Sequence, residues 1–172
     1  MIDLKELIKA GVHFGHQTWR WCPKMQPYIW GAKNGIHLID VAKTAHQIEK
    51  ASKFLESVAA TGRPILWVGT KNAAQKIVLD IAAQLKSPAV THRWIGGTLT
   101  NYGQVKKSVT KLLHYEDVLT KADEYMYTKK ELGLFQKMVF RHQKNVGGIR
   151  TLTWPVGAIV VVDVKKEFTA IR

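Results

Sequence analysis

Pro88-Ala89-Val90-Thr91-His92-Arg93-Trp94-Ile95-Gly96-Gly97-Thr98-Leu99-Thr100-Asn101 is the stretch whose reading decides the fold. A short apolar run leads into a glycine pair, and a long helical pattern begins near Gln104. Strand, glycine turn, helix is the grammar of an α/β protein. Gly96 and Gly97 can take positive φ and carry no Cβ, so backbone can approach a ligand closely there. Thr100 or Asn101 can cap the helix, whose first N–H groups favour anions. Arg93 offers a guanidinium fork and Trp94 a stacking face. The plain alternative is a tight turn over a packed tryptophan.

Working outward, Ile65-Leu66-Trp67-Val68 is a continuous apolar run, as expected of a buried parallel strand. Asn72 is placed to cap a helix that turns Ile77, Val78, Ile81 and Leu85 inward. Downstream, Ala158-Ile159-Val160-Val161-Val162 is the clearest strand in the chain. Upstream, Ile36-His37-Leu38-Ile39 reads as a short strand, and Asp40 caps a helix with Val41, Ala45, Ile48, Ser52, Leu55 and Ala59 on one face. Strands alternating with helices predict βαβ units and a mainly parallel sheet flanked by helices. Between the last two strands the pattern changes. Val105, Val109, Leu112 and Leu119 mark one helix. Thr128-Lys129-Lys130-Glu131 is a capping box opening another, with Leu132, Phe135, Val139, His142 and Val146 on one face. These heptad-like helices predict an inserted antiparallel hairpin, a coiled-coil arm over residues 104–147, on a body made of residues 1–103 and 148–172. Gly147-Gly148 lets the chain return to the sheet.

Asp3 and Glu6 mark the start of a short helix over residues 4–10, stopped by Gly11. Residues 11–35 are rich in aromatics, histidine and glycine and contain two prolines. They predict an ordered loop with short extended pieces, of the length that usually carries function. At the other end, the last residues read as the first turn of a crossover helix that still needs a strand, so a longer parent chain is expected.

Across 172 residues, 26 Lys and Arg face 13 Asp and Glu, a net charge of +13. That surplus predicts an anionic partner, nucleic acid ahead of a membrane. It is uneven: residues 104–150 hold ten basic and five acidic groups, while residues 36–62 hold three of each. The neutral segment is an amphipathic helix and is not expected to face the anion. Cys22 is the single cysteine, which excludes an intrachain disulfide and a multi-cysteine zinc motif. No apolar run approaches the ~18 residues of a membrane span. The first residues lack the apolar core of a signal peptide and the character of a transit peptide.

His13-x-x-His16 has the spacing of two metal ligands, but with no cysteine or carboxylate set nearby a structural role is the better reading, and no metal is expected. Gly69-Thr70-Lys71-Asn72 sits where an open α/β sheet binds phosphate. It matches neither dinucleotide nor P-loop fingerprint, so at most a phosphate contact by Thr70 or Lys71 follows. Trp19-Arg20-Trp21 with Lys24 interleaves rings and cations, as suits stacking on bases with phosphate neutralisation. At least one of those two tryptophans is expected to fill a core. Lys106, Lys107, Lys111, Lys129, Lys130, Lys137, Arg141 and Lys144 decorate the hairpin, with Glu116, Asp117, Asp123 and Glu124 towards its tip. Asp40, Asp80 and Asp163 stand apart with no nucleophile or histidine to match, so no catalytic set emerges.

Several of these motifs together resemble a known family. Residues 10–18 (Ala-Gly-Val-His-Phe-Gly-His-Gln-Thr), Trp21-x-Pro23-Lys24-Met25, the quoted His92 to Asn101 run and the Thr128–Glu131 box resemble small-subunit ribosomal protein two, of the bacterial or organellar type. Asn145-Val146-Gly147-Gly148-Ile149 and Val161-Val162-Asp163-Val164-Lys165-Lys166-Glu167 extend the resemblance over nearly the whole chain. It implies a Rossmann-like α/β domain with a protruding helical hairpin, binding to ribosomal RNA, and no enzymatic activity or cofactor. It implies neighbouring small-subunit proteins as partners, the large ribosomal protein one among them in bacteria. It also implies residence in a cytoplasmic bacterial or an organellar ribosome, with no membrane partner.

The expected mechanism is phosphate neutralisation with shape recognition. The expected RNA-facing set is His16, Gln17, Trp19, Arg20, Lys24, Lys71, Arg93, Thr98, Asn101, Lys106 and Lys107. Two rivals stand beside it. One is a nucleotide-binding α/β enzyme using Gly69–Asn72 and Gly96–Asn101. The other is a protein-interaction adaptor acting through the hairpin.

Overall fold

The computed structural model describes residues 2–122 and 126–172. They fall into two compact units, Met1–Ser57 and Val58–Arg172.

In the first unit, α1 (Leu4–Lys9) starts where the Asp3 carboxylate accepts the Lys5 backbone N–H at 2.8 Å. It ends before Gly11, whose φ of +76° only glycine adopts freely. The segment expected to be an ordered loop with short extended pieces contains such pieces as paired strands. It forms β1 (Phe14–Gln17), a 3-10 turn (Pro23–Tyr28) and β2 (Ile29–Lys33), and both strands pair antiparallel with β3 (Ile36–Ile39) in the order β1-β3-β2. The β2–β3 turn is Asn34-Gly35, both at positive φ, the backbone that lets a two-residue hairpin match strand twist. The 36–39 strand is therefore the centre of a separate antiparallel sheet, not a member of the parallel one. A neighbour two residues away forms a hairpin more readily than a distant strand pairs in parallel. Asp40 caps α2 (Val41–Ala60) as expected, accepting the Ala42 and Lys43 N–H groups at 3.0 and 3.3 Å. Ile48, Ser52 and Ala59 lie exposed on α2, while Val41, Ala45 and Leu55 are half-buried.

The second unit carries the parallel sheet. The strands β4 (Ile65–Val68), β5 (Ala89–Val90) and β6 (Ala158–Val161) lie in the order β5-β4-β6, with β4 parallel to both neighbours. Alternation along β4 sends Leu66 and Val68 to one face and Trp67 to the other. The first face packs with Val90, Val105, Leu112, Val146, Ile149 and Leu152. The second packs against α3 (Asn72–Leu85) through Ala74, Val78 and Ala82. Steps of four in small residues, not the larger Ile77 and Leu85, face the sheet; those two are exposed. Nor does Asn72 cap: Lys71 occupies the cap position without a side-chain bond.

After β5 come α4 (Tyr102–Thr120) and α5 (Lys129–Val146), which pack on each other, with Tyr115 against both Phe135 and His142. The Thr128–Glu131 capping box is present in both directions. Asp123 and Glu124, expected near the tip, lie outside the described residues. The base of the hairpin belongs to the main core, because Val105, Leu112 and Val146 share it with β4. The last element is α6 (Phe168–Ile171).

Candidate nucleic-acid interface

In the first unit the expected residues gather at one edge. β1 is an edge strand, and His16 and Gln17 are exposed on it. The chain then turns, with the Arg20 N–H donating to the Gln17 carbonyl at 2.9 Å. That turn lifts Trp19 into solvent, 70% exposed, and lays the Arg20 guanidinium 4.2 Å from its ring centroid. The guanidinium thus rests on one face of the exposed indole, a cation–π contact. Lys24 follows, exposed, on the 3-10 turn. Neither Trp19 nor Trp21 fills a core: both are exposed, and Trp21 lies tilted against His37 with ring centroids 5.2 Å apart. Trp30 on β2 is 77% exposed. On β2 exposure alternates around it, with Ile29 and Gly31 half-buried and Trp30 turned outward. Among the described residues, no group of three or more His, Cys, Asp or Glu side chains gathers where it could hold a metal ion.

In the second unit the loop after β4 is already occupied from within. The Thr70 N–H donates to Glu167 Oε1 at 2.9 Å, and the Thr70 hydroxyl donates to the same oxygen. Glu167 is 3% exposed. Lys71 Nζ donates to Asp163 Oδ2 at 3.1 Å. The Lys71 hydrogen bond is the main reason the Asp163 carboxyl is held below its ordinary pKa of 3.8, against the opposing effect of burial. Two carboxylates thus sit where a bound phosphate would be, which removes Thr70 as a phosphate contact and leaves Lys71 with a partner.

The glycine loop after β5 is half as expected. Gly97 alone has positive φ, +87°, and the Asn101 N–H donates to its carbonyl at 2.8 Å. Trp94 packs against the core, whereas Arg93 is exposed. Thr98 leaves the RNA-facing set: it is 1% exposed, and its hydroxyl donates to the Ile95 carbonyl at 2.7 Å. A β-branched residue behind a glycine turn here closes the turn instead of meeting solvent. Asn101 stands at the α4 cap position, exposed, without a side-chain capping bond. Lys106 and Lys107 follow on the first turns of α4, both exposed. Lys111, Lys129, Lys130, Lys137, Arg141 and Lys144 continue the exposed cations along the hairpin.

A family model described as ribosomal protein S2 matches residues 7–172. The chain belongs to the ribosomal protein S2 family. Among its relatives is a protein named small ribosomal subunit protein uS2 from Desulfatibacillum aliphaticivorans, 41% identical over 171 residues, covering 99% of this chain and 58% of that protein. Proteins of the same name from Cytophaga hutchinsonii and Chlorobium phaeobacteroides are 45% and 42% identical over 170 residues, covering 99% of this chain and 67% and 68% of theirs. The chain thus spans between 58% and 68% of the length of these relatives. The resemblance drawn from the motifs at residues 10–18, 92–101 and 128–131 is borne out. No helix of the described residues is long and apolar enough to cross a membrane.

Proposed function

We propose that this chain is a non-catalytic constituent of the small ribosomal subunit that binds ribosomal RNA and thereby supports translation. Membership of the ribosomal protein S2 family, with relatives named small ribosomal subunit protein uS2, carries this reading. The chemistry agrees with it. Flexible cations on exposed loops and helix starts neutralise phosphates, and exposed rings stack on unpaired bases. The proposed RNA-facing residues are His16, Gln17, Trp19, Arg20 and Lys24 in the first unit, and Arg93, Asn101, Lys106 and Lys107 in the second. Lys71 belongs with them as a residue whose charge Asp163 partly offsets. The hairpin is a Rossmann-like body's projecting arm in this reading, and neighbouring small-subunit proteins are the second class of partner, the large ribosomal protein one among them. The relatives named above are bacterial, so a cytoplasmic bacterial ribosome is the proposed setting.

Neither rival gains an observation. A nucleotide enzyme needs free donors after β4, and Glu167 and Asp163 hold them. Titrating the full chain with small-subunit ribosomal RNA between 50 and 200 mM salt separates the readings. Six or more phosphate contacts imply a loss of affinity of about a thousandfold over that range. Salt-insensitive binding, or tight binding of a mononucleotide in place of RNA, contradicts the proposal.

A further inference from the structure

The second unit has a cleft of about 580 Å³ whose wall includes Tyr102, Lys106, Thr110, Arg150 and Trp154. Its construction begins where the chain leaves α5. Ile149 and Leu152 are buried in the core and pin the segment down, while Thr151, Thr153 and Trp154 are exposed. The Leu152 carbonyl accepts the Tyr102 hydroxyl, which fixes the tyrosine ring at the start of α4. Trp154 lies on that ring with centroids 5.8 Å apart and planes 20° from parallel, an offset stack. Trp154 is nevertheless 53% exposed. One ring is anchored, and the other rests on it with surface to spare. Lys106 stands one helical turn beyond Tyr102 and Thr110 one turn further, so all three share a face of α4. Lys106 is exposed, and among the described residues no carboxylate pairs with it. Arg150, by contrast, donates to Glu116 and Gln143 and serves as wall.

From this arrangement we infer that the Tyr102–Trp154 shelf binds one unpaired nucleotide of RNA, its base stacked on Trp154 and its phosphate at Lys106. The inference rests on the RNA-binding reading above and adds a site to it. A shelf of two stacked rings extends readily to a third, since every base has a π-face. The volume lies in the range of sites that hold a small ligand, about 300–1,000 Å³. An apolar protein side chain would use the ring face but not the lysine beside it. The net charge of residues 104–150, with ten basic and five acidic groups, favours the polyanion.

The test is binding of the full chain to small-subunit ribosomal RNA, with wild type, Trp154→Ala, Trp154→Phe and Lys106→Ala compared after their melting curves are matched. Trp154→Ala is expected to bind about tenfold more weakly, with Trp154→Phe retaining most of the affinity. Lys106→Ala is expected to lower the log–log salt slope by about one. Ultraviolet crosslinking of the wild-type chain provides the second readout, independent of any variant's folding: the peptide containing Trp154 should carry a nucleotide. Unchanged affinity in a folded Trp154→Ala, or RNA adducts elsewhere but none on that peptide, overturns the inference while leaving the RNA-binding reading intact. Loss of co-sedimentation with small subunits at unchanged RNA affinity overturns it in favour of a protein occupant. Failure of the wild-type chain to bind RNA at all removes the function proposed above, and this site with it.

Discussion

A side chain at Gly148 would drive its Cβ into the Ala89 carbonyl, which is sheet backbone and has nowhere to go. Gly96 is the contrast, since a Cβ there meets nothing within 4 Å. Gly148→Ala is therefore expected to destabilise the fold by about 2 kcal/mol or more, as overpacking against rigid atoms does. Gly96→Ala should stay within about 0.5 kcal/mol. Denaturant midpoints measure both, and equal midpoints contradict the packing described here. At Asp163 the expectation concerns pH. Its carboxyl titrates below 3.8 in the folded chain because Lys71 donates to it. A depressed folded pKa gives stability that is present above the unfolded value and lost as pH falls through the folded one. Lys71→Ala should raise the Asp163 pKa towards 3.8, read by carboxyl-carbon NMR titration, and should flatten the stability change below about pH 4. An unmoved titration contradicts the ion pair.

Among the elements, α3 separates pattern from packing most sharply. Periodicity alone admits Ile77, Val78, Ile81 and Leu85 as an inner face, whereas the buried residues are Ala74, Val78 and Ala82. Close approach of a helix to a sheet selects small residues, and hydropathy does not report distance. Val78→Ala should cost about 2 kcal/mol, while Ile77→Ala should stay within about 0.5 kcal/mol; similar losses for both contradict the observed face. In α5 the Thr128 hydroxyl and the Glu131 carboxylate cap the helix reciprocally. Thr128→Ala is expected to cost on the order of 1 kcal/mol, visible as lost helical circular dichroism on mild heating. Such local chemistry was readable in the sequence: the Thr128–Glu131 box, the Asp40 cap and the apolar strands 65–68 and 158–161 all stand where expected. What was not readable depended on partners distant in the chain. Thr70 and Lys71 look like free phosphate contacts until Glu167 and Asp163, more than ninety residues away, fold onto them. Thr98 looks exposed until Ile95 accepts its hydroxyl. The small antiparallel sheet was half legible, since the Asn34-Gly35 dipeptide between two apolar runs is itself a hairpin signal.

Over the whole molecule, one physical theme joins the two units. Each leaves cations and rings at its surface without a carboxylate to match them all. The first does so with Trp19, Arg20 and Lys24 beside an edge strand. The second does so with Arg93, Lys106 and Lys107 and with Trp154 stacked on Tyr102 at the start of α4. A net charge of +13 opposes compaction of the free chain and is relieved by a polyanion. Membership of the ribosomal protein S2 family supplies the polyanion's identity in the reading proposed here. The most direct measurement is a crosslinking map of small ribosomal subunits assembled with this chain, read by mass spectrometry at residue level. RNA adducts are expected at Trp19, Arg20 or Lys24 and at Arg93, Lys106 or Lys107, with none at Thr98. Adducts confined to α2 and the outer face of α3, with both cationic clusters bare, would contradict this expectation.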